Sequence, residues 1–396
     1  MFVKSERIYC ENGLKSGYLA IENGRFTGVL AHPDSAEYVD YGTDRIIPGI
    51  VDTHNHGTCG YSLMGPGNEE EQTAQIRGYL KGCASQAVTG VFPTVVGPER
   101  IRAVAKVAET GADGAEILGI HSEGPWLNRT GEHGIRTPWP EVSLKTAEAM
   151  VADGRGRLRL VALAAEIPGI DPVIEYFLSK GITVALAHSD CNYEQATAAY
   201  AKGLSVATHT GNVMTDMHHR DVGGLGAALL NDNVMCEVIC DGMHINLNML
   251  KIYFRVKDPS RFMMISDCTP FSGARPGSYK GWDPSMTLSV TPEGFVLSDT
   301  GRLCGSSQPV LYGVKNLVEN LHMPMETVLR MSSLNTCRKY GFDRTKGSIR
   351  AGKDADFAVI SDDYRTVATY VKGRRVYDRK EEGAIFNPDF YKQMQK

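Results

Sequence analysis

RIIPGIVDTHNH, residues 45–56, holds two messages in twelve residues. Its first part is apolar at consecutive positions (Ile46, Ile47, Ile50, Val51), and its end is a polar string, Asp52-Thr53-His54-Asn55-His56. A strand with one wet face alternates apolar and polar residues. A run that is apolar on both parities describes a strand covered on both faces, as in parallel sheets flanked by helices. Seven further runs of this kind follow: GVFPTVVG (90–97), AEILGIHSEG (115–124), LRLVALAAE (158–166), ITVALAHSD (182–190), LSVATHTGN (204–212), VMCEVICDGMH (234–244) and RFMMISDC (261–268). The segments between them, such as EEQTAQIRGYLKGCASQA (70–87) and ERIRAVAKVAETG (99–111), carry amphipathic helical spacing. Eight strand–helix units predict an α/β fold, a closed (β/α)8 TIM-like barrel, over a doubly wound open sheet. Eight is the closing number, and polar residues stand at the ends of many different runs.

The flanks read differently. Residues 1–45 alternate short apolar runs with turns, as in SGYLAIENGRFTGVL (16–30) with its Asn23-Gly24 hairpin signal. After barrel helices at about 309–342, KGSIRAGKDADFAVISDDYRTVATYVKGRRVYD (346–378) returns to short strands. The expected organisation is a small β-sandwich domain built from both ends, residues 1–48 and 346–396, around a barrel at 49–345. The last 15 residues are expected to be peripheral.

Composition narrows the functional classes. The chain has 396 residues and is 42% hydrophobic, with 42 Lys and Arg against 46 Asp and Glu for a net charge of −4. That balance excludes a basic nucleic-acid-binding surface as its main business. No apolar run approaches the ~18 residues of a membrane span, and MFVKSERIYC lacks the apolar core of a secretory signal. Nine cysteines, an odd number with no CxxC, are expected to be reduced thiols of a cytoplasmic protein.

In barrels of this type chemistry sits at the C-terminal ends of the strands. There the sequence places His54 and His56, Glu123, Glu166, His188, His209, Asp241 with His244, and Asp267. His-x-His on a strand end sets both imidazoles on one side. Glu123, His188 and His209 add a carboxylate and two imidazoles. Nitrogen and oxygen donors without thiolate suit one or two divalent ions, zinc first, with iron, cobalt or manganese as alternatives. Asp267 would face an activated water as general base and then acid. A single strand-end histidine is more often a hydrogen-bonded core or loop residue, but the bland reading here requires coincidence at five strand ends. Glu166 is expected to hydrogen-bond a ligand from outside, Cys59 to be a small buried hydrophobe, Cys236 and Cys240 to pack in strand seven, and His32, His218, His219 and His322 to be surface or loop residues.

The motifs PGIVDTHNHG (48–57), LGIHSEGPWLN (118–128), ALAHSD (185–190), ATHTGNVM (207–214), HHRDVGGLGA (218–227), CDGMHI (240–245), SDCTPFSGA (266–274), LCGSS (303–307) and GSIRAGKDADFAVI (347–360) make the chain resemble the amidohydrolase superfamily. Within it, the chain is similar to the N-acetylglucosamine-6-phosphate deacetylases, nearly end to end. The resemblance implies that Glu123, His188 and His209 hold one ion and that His54 and His56 complete a second site bridged by Glu123. It implies Asp267 as general base and acid, and His133 on the acetyl carbonyl or the sugar. It places the main chain at Asn212 and Val213 and the side chain of Arg220 on the phosphate. His244, preceded by Asp241 and Gly242, and a Leu303-Cys304-Gly305 turn would contact the sugar. A homodimer is implied, with a loop of the partner near the phosphate. The reaction implied is hydrolysis of N-acetyl-D-glucosamine 6-phosphate to D-glucosamine 6-phosphate and acetate. His209-Thr210-Gly211-Asn212-Val213 and CTPFSGA (268–274) depart from the usual pattern, Gly211 by removing a side chain near the sugar. They leave N-acetylgalactosamine 6-phosphate or another acylated amino sugar phosphate as alternatives. Outside this branch, an amidohydrolase for unphosphorylated amides or a silent sugar-phosphate sensor are the competing readings.

Overall fold

The computed structural model describes residues 1–33, 35–65, 67–128, 141–281 and 286–394. Each of the eight apolar runs contains a barrel strand: β1 (Ile50–Asn55), β2 (Val88–Val95), β3 (Ile120–Glu123), β4 (Leu158–Leu163), β5 (Thr183–Leu186), β6 (Val206–Ala207), β7 (Met235–Ile239) and β8 (Phe262–Ile265). Neighbours from β1 to β8 pair in parallel. Helices alternate with them, and two carry full capping boxes, from Asn68 to Glu71 and from Asn192 to Gln195.

The unbroken hydrophobicity of the runs divides by parity. Val161, Leu163, Val184, Leu186, Ala207, Cys236, Val238, Phe262 and Met264 join the large core shared with the helices. Their alternates Leu160, Ala162, Ala185, Ala187, Val206, Met235 and Met263 form a separate cluster with Phe92, the filling of the lumen. Tyr340 and Phe342 pack against that cluster, with the Tyr340 ring tilted against Phe92 at a centroid distance of 4.7 Å.

The ring closes between β8 and β1 at the end that carries the polar string. The Asp267 amide donates to His54 O at 2.8 Å, and the His56 amide to Cys268 O at 2.7 Å. Ser266 Oγ donates to Asp52 Oδ2 at 2.6 Å. Burial raises the Asp52 carboxyl to about 6, against the pull of its donors from Ser266, Asn55 and the His54 amide.

Between β8 and the helix Val310–Glu319 the chain inserts a four-stranded antiparallel sheet: Gly277–Lys280, Thr287–Val290, Phe295–Ser298 and Leu303–Ser306. Leu303, Cys304 and Gly305 therefore lie in a strand and not in a turn. The segment at 386–391 is also not peripheral. Phe390 is buried with Phe271 and Tyr279 of the insertion region, and Asn387 bonds Cys59 O and Gly60 O at 2.8 and 2.9 Å.

The chain ends build one eight-stranded sheet in the order 374–378, 366–371, 357–360, 45–48, 2–10, 13–22, 25–30, with Val39–Asp40 beside Phe2–Cys10. Strand 45–48 is the splice: Ala358 pairs antiparallel with Ile47, and Ile46 in parallel with Ile8. Among the described residues no helix is long and apolar enough to cross a membrane, and all nine cysteines are free.

Candidate metal centre

Four imidazoles converge on Glu123, at the end of β3, and Asp267 stands beside two of them. His188 Nε2 and His209 Nε2 stand 3.1 and 3.0 Å from its Oε1. His54 Nε2 is 3.4 Å from the same oxygen, and His56 Nε2 is 3.1 Å from Oε2. Asp267 Oδ1 lies 3.5 Å from both His54 Nε2 and His56 Nε2. Every contact is made through Nε2, so the lone-pair edge of each ring is turned to one small volume.

The backbone aims these groups. In β5 and β6 the lumen takes Ala185, Ala187 and Val206, so His188 and His209 are out of step with the inward set. Both have left-handed backbones, φ 44° and 30°. That conformation disfavours any residue with a Cβ, and here it turns an imidazole back into the mouth. Asp267 (φ 50°) shares it. Such strain, of order 1–3 kcal/mol per residue, concentrates where geometry must be held against preference.

Hydrogen bonds fix the rings. The Nδ1 of His209 lies 3.1 Å from Asn212 O. A carbonyl can only accept, so Nδ1 carries the proton and Nε2 is free to ligate. Around His188, Glu166 gathers Asn128 Nδ2, Ser189 Oγ, the Asp190 amide and Cys191 Sγ. The Asn128 amide in turn donates to His188 O. Glu166 thus holds the loop bearing a ligand and does not bond the ligand ring. Asp267 is clamped from both sides, its amide on His54 O and its carbonyl accepting from the Ser306 amide at 2.8 Å. A Cβ at Gly305 (φ 65°) would meet Thr269 Cγ2 at 2.5 Å and Asp267 O at 2.9 Å, which is why glycine stands there.

Electrostatically the cluster is unfinished. Burial opposes charge on Glu123, yet the surrounding imidazoles, His54 first, hold its carboxyl well below the usual range. Burial likewise lowers the His54 imidazole, but Glu123 and Asp267 outweigh it and hold the group well above its ordinary value. Both nitrogens of His54 are buried without a hydrogen bond. Two overlapping donor sets, His54–His56–Asp267 and His54–Glu123–His209, are compact enough to hold an ion. A buried imidazole with neither nitrogen hydrogen-bonded, set among further imidazoles around a carboxylate, is what a divalent cation would satisfy.

Beside this cluster, Asp241 accepts the Met243 and His244 amides and stands 2.8 Å from His244 Nδ1. Ser306 Oγ, from the inserted sheet, donates to the same carboxylate. Burial works against charge on both groups, but the pairing lowers the Asp241 carboxyl and raises the His244 imidazole. His244 Nε2 is buried without a hydrogen bond.

Other expected residues fare differently. Val213 has a left-handed backbone (φ 50°) and its carbonyl holds the Ser189 amide. Arg220 lies on an exposed loop, its guanidinium 2.7 Å from His219 Nε2. His133 falls outside the described residues. Gly211 does not open empty space: a Cβ there would lie 2.2 Å from the hydroxyl of Tyr253, which fills the position. Cys59 is buried, as expected of a small hydrophobe. The motifs did not single out Glu237, Asp52 or Tyr253; a lone acid inside the apolar run VMCEVIC was the only signal for the first.

The amidohydrolase family profile matches residues 45–376. The chain is 33% identical over 364 residues, 90% of each protein, to the N-acetylglucosamine-6-phosphate deacetylase of Vibrio furnissii. It is 26% identical to the N-acetylgalactosamine-6-phosphate deacetylase of Escherichia coli O157:H7, covering 94% of this chain and 98% of the other. The crystal structure of the N-acetylglucosamine-6-phosphate deacetylase from Pasteurella multocida superposes with a TM-score of 0.84 at 25% identity, covering 95% of this chain and 99% of that one. The barrel, the polar mouth and these matches agree: the chain belongs to the amidohydrolase family.

Proposed function

We propose that the chain hydrolyses the acetamide of N-acetyl-D-glucosamine 6-phosphate, giving D-glucosamine 6-phosphate and acetate. The observation that carries this reading is the convergence of four imidazole Nε2 atoms on the Glu123 carboxylate, with the Asp267 carboxylate beside two of them, in a chain whose relatives are named for this deacetylation. In this reading Glu123, His188 and His209 hold one divalent ion, and His54 and His56, sharing Glu123, can hold a second; zinc is the first candidate. A divalent ion supplies a Lewis acid for the amide carbonyl and lowers the pKa of water beside it.

The chain's own groups do the rest. Asp267 Oδ1, beside His54 and His56, takes the proton of the attacking water and delivers it to the departing amine. The left-handed backbone and the double clamp on Asp267 keep the carboxylate on that path. His244, held by Asp241 through Nδ1, turns Nε2 to the sugar. The strand Leu303–Ser306 forms the wall beside Asp267, and Leu303, Cys304 and Gly305 contact the sugar from it. The main chain at Asn212 and Val213, with Arg220, takes the phosphate; the planar guanidinium pairs well with a dianion. His133 is assigned to the acetyl carbonyl. The protein is proposed to be cytoplasmic and to work as a homodimer, with a loop of the second copy near the phosphate. N-acetyl-D-galactosamine 6-phosphate is the second reading, favoured by a relative named for that sugar.

Acetate release from both phosphates and from unphosphorylated N-acetylglucosamine, with protein of measured metal content, tests the proposal. Turnover of the glucosamine phosphate far above the other two is expected. Turnover of neither phosphate by fully metallated protein overturns it.

A further inference from the structure

Below the metal cluster, inside the barrel, lies a group that neither the motifs nor the mechanism above uses. Glu237, in the middle of β7, is fully buried. Its Oε1 accepts from Thr53 Oγ1 at 2.9 Å, and its Oε2 has no hydrogen bond. That oxygen is 3.7 Å from His54 Nδ1, which is itself buried and unpartnered. The main-chain oxygen of Glu237 accepts the Thr210 amide at 2.7 Å, directly after His209. One residue of β7 thus touches the strand ends bearing two of the five proposed ligands.

An unpaired carboxylate in a protein interior is expensive. Three of the inward residues in and next to β4 and β5 are small, Ala162, Ala185 and Ala187. An imidazole with Nε2 directed at a cation needs its proton on Nδ1 and an acceptor there. The two orphaned atoms answer each other.

We propose that Glu237 is the positioning residue of His54: its carboxylate accepts the Nδ1–H of His54 when a divalent ion sits at Nε2, and Thr53 holds the carboxylate in place. This rests on the metal reading of the cluster. It predicts that Glu237 tunes the ion that His54 holds and leaves untouched the ion held by Glu123, His188 and His209.

The test is a titration of metal-free full-length protein with Zn2+ or Co2+, following affinity by competition with a chelating dye and ligand geometry by the Co2+ absorption spectrum. Wild-type protein is expected to bind. In Glu237→Gln, ~10–100-fold weaker binding at one site is expected, with the Co2+ spectrum of that site altered and the other site unchanged. Thr53→Val, which keeps the shape of the side chain, is expected to weaken the same site by a smaller factor, and it supplies the answer if Glu237→Gln does not fold. Wild-type protein that binds no divalent ion refutes the metal reading itself. Normal metal binding by wild type together with wild-type affinities and spectra in both variants overturns the role of Glu237 alone. Equal weakening at every site overturns it too, because a general structural defect would do that.

Discussion

Two of the buried charge clusters among the described residues differ in how far they close. Between barrel and terminal sheet, Lys346 Nζ is 2.6 Å from Asp356 Oδ2, 2.8 Å from Glu116 Oε2 and 3.2 Å from Asp354 Oδ2. Lys353 bonds Ser348 Oγ and Lys346 O and faces Glu11. Burial works against charge on Lys346, yet Asp356 and Glu116 hold its ammonium above the ordinary value. At the barrel mouth, His54 has neither nitrogen hydrogen-bonded, and four imidazoles crowd one carboxylate. A charge cluster that serves the fold satisfies itself; one that serves a ligand leaves its atoms pointing at a shared place.

Substitutions can break this contrast, because the two clusters must fail in different currencies. Asp267→Asn should lower kcat by ~10³–10⁴-fold, the upper part of the range for a positioned acid–base group, while metal content and melting temperature stay at wild type or above. Near-normal turnover would remove Asp267 from the reaction. Lys346→Met should do the reverse. It removes the cation shared by three carboxylates, and removing one member of a buried pair costs about 3–5 kcal/mol. Denaturant unfolding should show the loss, with acetate release per folded molecule unchanged.

Two smaller effects sharpen the comparison. Gly211→Ala sets a methyl against the Tyr253 hydroxyl, and overpacking of this kind costs about 1–3 kcal/mol. Tyr253→Phe in the same chain should recover part of that loss, read by denaturant unfolding. No recovery would place the strain elsewhere. The smallest change concerns pH. Pairing with Asp241 raises the His244 imidazole above its ordinary 6.5, so its contribution to stability is complete below that pH and fades as pH climbs through the folded-state value. In Asp241→Asn the His244 titration, followed by the NMR of its ring proton, should move down and that pH dependence should shrink.

Much of the barrel was legible because its signal is local. Runs apolar on both parities mark strands covered on both faces, and all eight became strands in parallel order. The polar string at each run's end marked His54, His56, Glu123, His188, His209 and Asp267, which the fold brings together. What escaped depends on partners distant in sequence. The four short strands at 277–306 have only weak alternation and pair among themselves. Phe390 gives no hint in its neighbourhood that it packs on Phe271. Glu237 reads as one acid in an apolar run until the fold sets it 3.7 Å from His54. The left-handed turns at His188 and His209 carry no residue signature, since glycine, the usual occupant, cannot ligate.

The packing of residues 386–391 orders events in time. Asn387 ties down the loop at Cys59 and Gly60, and Phe390 lies under the inserted sheet whose strand Leu303–Ser306 clamps Asp267. Translation delivers every barrel strand before it delivers these residues. A nascent chain still on the ribosome can therefore have a formed barrel and a mouth without its final support, so full catalytic competence arrives after elongation has passed Tyr391 and that segment has cleared the exit tunnel.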